Sequence, residues 1–206
     1  GMHFRVAETA TEIHGALWLL EEGGLSRALS EAVWAGFRRP KGNLVAQSLA
    51  AHAGFPEAAM MRSLRISRVA VHPQARRQGI GKALVSAAID AAGSDCDYVS
   101  VSFGLTDELW KFWHGCGFRL VRVGNQREAS SGCYTAMAVL PLTDKASRFT
   151  VEAEQSLQRN LAFAEPHWLA ELPPEICRPA EQDIQALSKA DWQELAGFAW
   201  GNRPFE

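Results

Sequence analysis

The chain carries the glycine loop Arg76-Arg77-Gln78-Gly79-Ile80-Gly81-Lys82. Apolar residues predict a strand at 66–71 before this loop and a helix at 80–89 that begins inside it. The first amide groups of a helix have no intrahelical acceptor, and the helix dipole adds positive potential at that end. The glycines let an anion approach the backbone, and the basic side chains surround it with charge. The loop therefore predicts a binding site for a phosphate group.

The spacing of the loop separates it from two common nucleotide-binding patterns. It lacks the Gly-x-x-x-x-Gly-Lys-Ser/Thr spacing of a P-loop and the Gly-x-Gly-x-x-Gly spacing of a dinucleotide fold. The sequence instead has Arg-x-x-Gly-x-Gly after Val71-His72-Pro73. This combination resembles the pyrophosphate loop of the GNAT acetyltransferases, which hold coenzyme A. The alternative is a plain strand-to-helix turn that carries basic residues by chance.

Length and composition limit the class of protein. The chain has 206 residues, 47% of them hydrophobic, which is enough for one core and an appended segment. No apolar run reaches the length that spans a membrane, and the N-terminus lacks a secretory pattern. The four cysteines have no paired spacing that would indicate zinc. We therefore expect a cytoplasmic enzyme with reduced cysteines, no metal and no membrane contact.

The charges are unevenly distributed around a formal net charge of −2. Residues 61–142 contain ten Lys or Arg and six Asp or Glu, whereas residues 143–206 contain six and eleven. The segment with the glycine loop is the basic one, which favours an anionic ligand. The overall charge by itself gives no support to nucleic-acid binding.

The order of the predicted elements indicates an α/β domain with a mixed sheet at residues 1–142. A helical insertion occupies about residues 25–60, and a helical tail follows at 143–206. Thr106 is predicted to cap a helix that ends near Gly117. Strands are predicted at residues 4–7, 13–20, 66–71, 98–103, 118–123 and 133–140, with a polar loop at 124–132.

Two further segments are Trp-Ala-Gly-Phe-Arg-Arg-Pro at 34–40 and Arg-Glu-Ala-Ser-Ser-Gly-Cys-Tyr at 127–134. Together with residues 23–26 and 42–50, they resemble the acetyltransferase region of the bacterial tRNA(Met) cytidine acetyltransferases. Members of that family acetylate the exocyclic amino group of the wobble cytidine in elongator methionine tRNA. The resemblance covers about residues 4–142, and the tail only in position and character. It implies a GNAT fold, acetyl-CoA as the acetyl donor, and tRNA as a partner.

The chain also departs from the pattern of this family. The family's enzymes carry an ATP-dependent helicase-like module before the acetyltransferase, whereas this sequence has no P-loop. A GNAT domain begins with a strand and one or two helices before the hairpin that opens this chain. We therefore expect a fragment or a shortened relative that binds acetyl-CoA but barely acetylates tRNA. Many GNAT enzymes have Phe-Tyr where this chain has Phe112-Trp113, and an indole is a far poorer acid than a phenol.

The resemblance assigns candidate cofactor-binding residues. The strand Val69-Ala70-Val71 has backbone groups that can pair with the pantetheine arm, and an amide at its end can support an oxyanion. The glycine loop holds the pyrophosphate, and Glu108 begins the helix expected to flank the arm. The alternatives are a buried core strand at 69–71 and a simple helix-start charge at Glu108.

His72 is the candidate catalytic residue. A cytosine amino group is neutral at pH 7, so its orientation matters more than its deprotonation before attack. A base is still needed to take the proton from the addition intermediate, and histidine is suited to this role. The alternative is an ordinary strand ending, because Val-His-Pro is frequent in GNAT sequences without a catalytic role.

Four basic residues are candidate RNA contacts. Arg38, Arg39 and Lys41 form a compact turn that follows two aromatic residues, and such a turn suits RNA phosphates. Arg127 is expected at the mouth of the acceptor site. The alternatives are a solvated helix end for the turn and a surface loop for Arg127.

Three functions are compatible with the sequence. The first is the acetyltransferase region of a tRNA cytidine acetyltransferase. The second is a free-standing GNAT enzyme that modifies a protein or a small-molecule amine. The third is a non-catalytic fragment that binds coenzyme A or RNA without turnover.

Overall fold

The computed structural model describes residues 1–177 and 187–203, so parts of the predicted tail, 178–186 and 204–206, lie outside the described residues. The strands are Met2–Glu8 (β1), Ile13–Gly23 (β2), Arg62–Val71 (β3), Tyr98–Gly104 (β4), Arg119–Arg127 (β5) and Tyr134–Pro141 (β6). The helices are Arg27–Trp34 (α1), Leu44–Ala51 (α2), Pro56–Met60 (α3), Ile80–Asp90 (α4), Asp107–His114 (α5), Asp144–Ala162 (α6), Pro166–Leu169 (α7) and Lys189–Trp200 (α8).

The strands form one mixed sheet in the order β1-β2-β3-β4-β6-β5. β3 and β4 run parallel, and the other neighbouring pairs are antiparallel. α4 joins the two parallel strands, as a parallel pair requires a crossover connection. The predicted α/β class with a mixed sheet and flanking helices is therefore confirmed.

α4 and α5 cover one face of the sheet. Leu17 and Leu19 both point to this face because alternate residues of a strand share one side. They pack in one cluster with Ile66 of β3, Leu84 of α4 and Phe118 after α5. Full burial of one such side chain contributes about 1.5–3 kcal/mol. This cluster holds the start of α4, and with it the glycine loop, against the sheet.

The opposite face of the sheet is covered by α2, α3 and α6. Tyr98 of β4 is fully buried there, with its ring centroid 6.1 Å from that of Phe149 in α6. Its hydroxyl donates a hydrogen bond to the Ala58 carbonyl at 3.0 Å. Burial raises the pKa of the Tyr98 hydroxyl, because a phenolate here would lose its solvation. Tyr98 thus connects the sheet to both α3 and α6.

A buried carboxylate anchors the start of α2. The Glu22 side chain is fully buried and accepts hydrogen bonds from the amides of Leu44 and Val45, each at 2.9 Å. It also accepts a charged hydrogen bond from Arg65 Nε at 2.6 Å. A negative charge at a helix N-terminus is stabilising. Glu22 therefore ties the segment after α1 to strands β2 and β3.

Acidic residues of the tail pair with basic residues of the sheet and of α5. The pairs are Glu154 with Arg119, Glu171 with Arg127 at 3.0 Å, and Glu175 with Lys111 at 3.6 Å. The uneven charge distribution of the sequence is therefore partly balanced by ion pairs within the chain. The acidic tail offsets part of the positive charge of residues 61–142.

Several element boundaries differ from the prediction: β2 extends to Gly23, β3 begins at Arg62, and β5 and α5 also end at other residues. β5 extends to Arg127, which pairs with Tyr134, so the first part of the predicted polar loop is a strand. Polar residues fit there because β5 is an edge strand and its end is exposed. α5 ends at His114 and not near Gly117, because the Phe118 amide returns to the Trp113 carbonyl at 3.1 Å and closes a turn.

Candidate functional site

β3 and β4 separate towards their C-terminal ends. Their parallel pairing ends where Ile66 lies opposite Val101. β3 continues to Val71 and remains paired with β2 on its other side. Beyond Ile66, the β4 side of β3 therefore faces a gap in the described sheet. The segment Val69-Ala70-Val71 lies along this gap, where its backbone groups are available to an added chain.

The glycine loop turns from β3 into α4. Gly79 is the N-cap of α4 with φ +83, a conformation that glycine adopts without strain. No atom lies within 4 Å of the position that a Cβ would take there, so this face of the loop is open. The first intrahelical bond runs from the Ala83 amide to the Gly79 carbonyl at 3.0 Å. The three preceding amides therefore have no intrahelical acceptor.

An open crevice of about 850 Å³ lies over the loop. Its walls come from the end of β3, the loop and the first turns of α5. The lining residues are Val71, Ala75, Arg76, Arg77, Gly79, Ile80, Gly81, Lys82, Asp107, Glu108, Lys111 and Phe112. The volume is typical of a small-molecule or cofactor site. The structure thus brings most of the predicted cofactor-binding residues to one place.

Three predicted cofactor residues lie beside the crevice and not in its lining. Val69 and Ala70 precede it on β3, along the gap. The Gln78 side chain turns back and donates a hydrogen bond to the Gln74 carbonyl at 3.1 Å. The lining also includes Lys111 and Phe112, which the sequence analysis did not select. Their spacing from Glu108, three and four residues along a helix, was the available signal.

Carboxylates already neutralise part of the positive charge in the crevice. Arg77 Nη2 lies 2.9 Å from Glu108 Oε1, and both side chains are exposed. Lys111 Nζ lies 2.7 Å from Asp107 Oδ2, and this hydrogen bond raises the pKa of Lys111. The predicted helix cap is confirmed, because the Thr106 hydroxyl accepts from the Leu109 amide at 3.2 Å. The cap fixes the carboxylates of the first turn at the crevice.

His72 lies at the end of β3. Its backbone amide donates to the His14 carbonyl at 2.8 Å, which continues the pairing with β2. Its side chain is exposed and is not among the residues that line the crevice. His72 therefore lies one residue after Val71, the last residue along the gap between β3 and β4. A catalytic role for His72 stays a prediction.

Trp113 belongs to the core. It is 3% exposed, and its ring centroid lies 5.3 Å from Phe118 and 6.2 Å from Phe103. Its Nε1 group is buried without a hydrogen-bond partner in the part of the chain that the structure describes. The neighbouring Phe112 faces the crevice instead. The indole therefore packs the sheet and is not placed as a proton donor to a ligand.

The predicted RNA contacts lie in two different environments. Arg38, Arg39 and Lys41 are exposed, and none forms an ion pair with an acid in residues 1–177 or 187–203. Arg127 instead pairs with Glu171 and lies 5.2 Å from the centroid of the Tyr134 ring. The Glu171 hydrogen bond raises the pKa of Arg127. Among the described residues, no acid pairs with the basic turn, whereas Glu171 holds Arg127 against the tail.

The described residues contain no group of three or more His, Cys, Asp or Glu side chains that could hold a metal ion. Among the helices described, none is both long and apolar enough to cross a membrane.

Several bacterial proteins resemble the chain over nearly its whole length. The tRNA(Met) cytidine acetyltransferases TmcA of Citrobacter koseri and Salmonella typhimurium are each 54% identical over 204 residues, which is 99% of this chain. The Haemophilus influenzae TmcA is 43% identical over 95% of it. The chain spans about 30% of the length of these relatives. The predicted resemblance to this group is confirmed.

Two solved acetyltransferase structures and two protein-family models match parts of the chain. A Bacillus subtilis acetyltransferase in complex with CoA is 18% identical, with a TM-score of 0.44, and the match covers 68% of this chain and 76% of that one. Arabidopsis thaliana NAA60 in complex with acetyl-CoA is 14% identical, with a TM-score of 0.45 and coverages of 65% and 68%. A tRNA-binding domain model matches residues 147–206, and an acetyltransferase (GNAT) domain model matches residues 25–141, more than half of the chain. The chain therefore belongs to the GNAT acetyltransferase domain family.

Proposed function

We propose that this chain binds acetyl-CoA in the crevice over the glycine loop and transfers the acetyl group to a cytidine amino group of tRNA in the cytoplasm. The observation that carries the proposal is the separation of β3 from β4 beyond Ile66, directly beside the start of α4. The free edge of β3 suits the pantetheine arm of the coenzyme, and the adjacent start of α4 suits its pyrophosphate.

The proposal gives each part of the coenzyme its own protein partner. The pantetheine arm lies along Val69-Ala70-Val71 and pairs with the free strand edge. The pyrophosphate lies on the amides of the loop at 76–82, with Arg76, Arg77 and Lys82 around it. Glu108, which lies 2.9 Å from Arg77, gives up this arginine to the phosphate when the coenzyme binds.

In the transfer step, the cytidine amino nitrogen attacks the thioester carbonyl carbon. A C–N bond forms, the C–S bond breaks, and the nitrogen loses one proton while the thiolate leaves. A backbone amide at the end of β3 supports the oxyanion of the tetrahedral intermediate. His72, one residue further, accepts the proton from nitrogen. The buried indole of Trp113 takes no part in protonating the thiolate.

The acceptor part of the proposal rests on the tail and on the relatives. The named activity of the TmcA relatives and the tRNA-binding match at residues 147–206 both support tRNA as the acceptor. Arg38, Arg39 and Lys41 contribute phosphate contacts, and Arg127 contributes one at the acceptor mouth if RNA displaces Glu171. Because the chain spans about 30% of its relatives, we also propose an upstream ATP-dependent helicase-like module in the same polypeptide.

The test is single-turnover transfer of labelled acetyl from acetyl-CoA to elongator methionine tRNA. This chain is compared with a polypeptide extended upstream to the length of the relatives. We expect both to bind acetyl-CoA, and the longer one to transfer acetyl faster by several decades, because it supplies more of the acceptor side. Transfer by both proteins to a polyamine or a protein amine, with none to tRNA, would contradict the proposed acceptor.

A further inference from the structure

The end of the tail docks on the turn after α1. The Asn202 amide donates a hydrogen bond to the Ala35 carbonyl at 2.8 Å, and Asn202 Nδ2 donates to the Gly36 carbonyl at 3.4 Å. A Cβ at Gly36 would lie 2.1 Å from the Asn202 carbonyl oxygen, so only glycine allows this approach. The backbone of residues 35–36 therefore packs directly against Asn202, which lies two residues after the end of α8.

A buried arginine strengthens this contact. The Arg203 guanidinium carbon lies 4.9 Å from the ring centroid of Trp34, and the Arg203 side chain is only 5% exposed. Glu194 of α8 forms an ion pair with Arg203 from the other side. A Cβ at Gly197 would lie 2.9 Å from the Trp34 ring, which shows how closely α8 and Trp34 pack. These contacts fix α8 relative to the turn after α1, although the contacting residues Gly36 and Asn202 are 166 residues apart in the sequence.

Large aromatic side chains are exposed on both sides of this junction. Phe37, the residue after Gly36, is 64% exposed. Trp200, at the end of α8, is 83% exposed, and Trp192 is 61% exposed. The two tryptophans are separated by about two helical turns, or about 12 Å. Exposed apolar side chains that adjoin one another and are rimmed by polar residues are typical of a binding surface.

The cations beside these rings separate an RNA partner from a protein partner. Arg38, Arg39 and Lys41 follow Phe37 directly, and the described residues supply no acid to pair with them. Elsewhere in the molecule Arg119, Arg127 and Lys111 are paired with tail acids. Unpaired cations next to exposed rings are the combination that binds single-stranded RNA, with bases stacked on the rings and phosphates on the cations.

We infer that the basic turn and α8 form one RNA-binding surface on which unpaired bases stack. The surface consists of Phe37, Arg38, Arg39, Lys41, Trp192 and Trp200. This inference rests on the proposed tRNA partner and adds to it a place and a mode of binding. It also explains why the tail contributes to RNA binding although its charge balance is acidic. The tail supplies aromatic rings, and the turn after α1 supplies the charge.

The test measures the affinity of the chain for elongator methionine tRNA. Phe37→Ala and Trp200→Ala should each weaken binding about five-fold or more, the loss expected for one stacked base. Phe163→Ala is the matched control, because Phe163 is 70% exposed but lies after α6, outside the surface. Trp200→Tyr should retain most of the affinity, since a phenol ring still stacks. Acetyl-CoA affinity and the melting temperature should stay unchanged in all four variants.

The salt dependence separates the two kinds of contact. The triple variant with Arg38, Arg39 and Lys41 changed to Ala should lower the slope of log affinity against log salt by about 0.7–0.9 per lost phosphate contact. Trp200→Ala should leave this slope unchanged.

If Phe37→Ala and Trp200→Ala bind tRNA like Phe163→Ala, the inference is wrong while the proposed tRNA partner stands. If the unmodified chain binds no tRNA, both fail. Loss of self-association in Trp200→Ala, with normal tRNA affinity, would assign the surface to a second protein copy and overturn the inference.

Discussion

Arg77 of the glycine loop and Glu108 of α5 form an ion pair across the mouth of the crevice, with Nη2 and Oε1 2.9 Å apart. The arginine that is proposed to meet a phosphate thus also pairs with a carboxylate of α5. Both side chains are more than three-quarters exposed, so the pair is weak and exchangeable. A phosphate can therefore replace Glu108 as the partner of Arg77.

Glu108→Gln should strengthen acetyl-CoA binding about two- to five-fold, because it removes a competitor for Arg77 and a negative charge near the phosphates. Calorimetry at low and moderate salt measures the change, which should shrink as salt rises. Glu31→Gln is the control, since Glu31 pairs with Arg27 away from the crevice and the net charge changes equally. Weaker binding by Glu108→Gln would instead mean that the carboxylate contacts the coenzyme directly.

Gly79 allows a test in which only charge differs. Aspartate and asparagine have the same shape and both tolerate the left-handed conformation that φ +83 requires. Either side chain would enter the open side of the loop, where no atom lies within 4 Å. Gly79→Asp should therefore bind acetyl-CoA at least about tenfold more weakly than Gly79→Asn, because of repulsion between the like charges. Equal affinities of the two variants by calorimetry would show that the pyrophosphate does not bind at this loop.

The contact between the tail and the β5–β6 hairpin should depend on pH through Glu171. Its hydrogen bond from the Tyr134 hydroxyl, and next its hydrogen bond from Arg127, lower the pKa of this carboxyl below the ordinary value. The stability that the Glu171 carboxylate contributes to this contact is therefore present above the ordinary carboxyl pKa. It is lost as the pH falls through the lowered pKa.

NMR titration of the Glu171 carboxyl measures this shift. Tyr134→Phe and Arg127→Ala should each raise the pKa of Glu171 towards the ordinary value, since each removes a hydrogen bond that lowers it. An unshifted Glu171 pKa in the unmodified chain would show that the tail contact does not form in solution.

The parts of the site that sequence reasoning predicted are local in the chain. The loop, its N-terminal helix start and the Thr106 cap each depend on residues within a few positions of one another, so spacing was sufficient to predict them. The basic turn was predicted for the same reason. Glu108 was selected from the start of its helix, and the structure places it at the crevice.

The parts that sequence reasoning missed depend on contacts between distant segments. Nothing near Arg127 in the sequence indicates that Glu171 will pair with it, and nothing near Trp34 indicates Arg203. The acidic tail was interpreted as a separate charge balance, although its acids meet basic residues of the sheet. The burial of Trp113 was also missed, because the spacing of α5 does not distinguish which of two adjacent aromatic residues faces the crevice.

Glu22 and its neighbour Glu21 give a matched test of what holds the segment after α1 in place. Glu22 is buried and joins the start of α2 to Arg65, whose side chain is only 12% exposed, whereas Glu21 is 56% exposed and pairs with His3. Glu22→Gln should lower the free energy of unfolding by about 3 kcal/mol or more, because it leaves the Arg65 charge buried without its partner. Glu21→Gln should change it little. Urea unfolding measures both variants, and the midpoint of Glu22→Gln should fall without a change in slope.

Since α2 follows the basic turn, Glu22→Gln should also weaken tRNA binding, whereas Glu21→Gln should not. Equal unfolding midpoints for the two variants would show that the amides of α2 find another acceptor and that the buried pair does not anchor the turn.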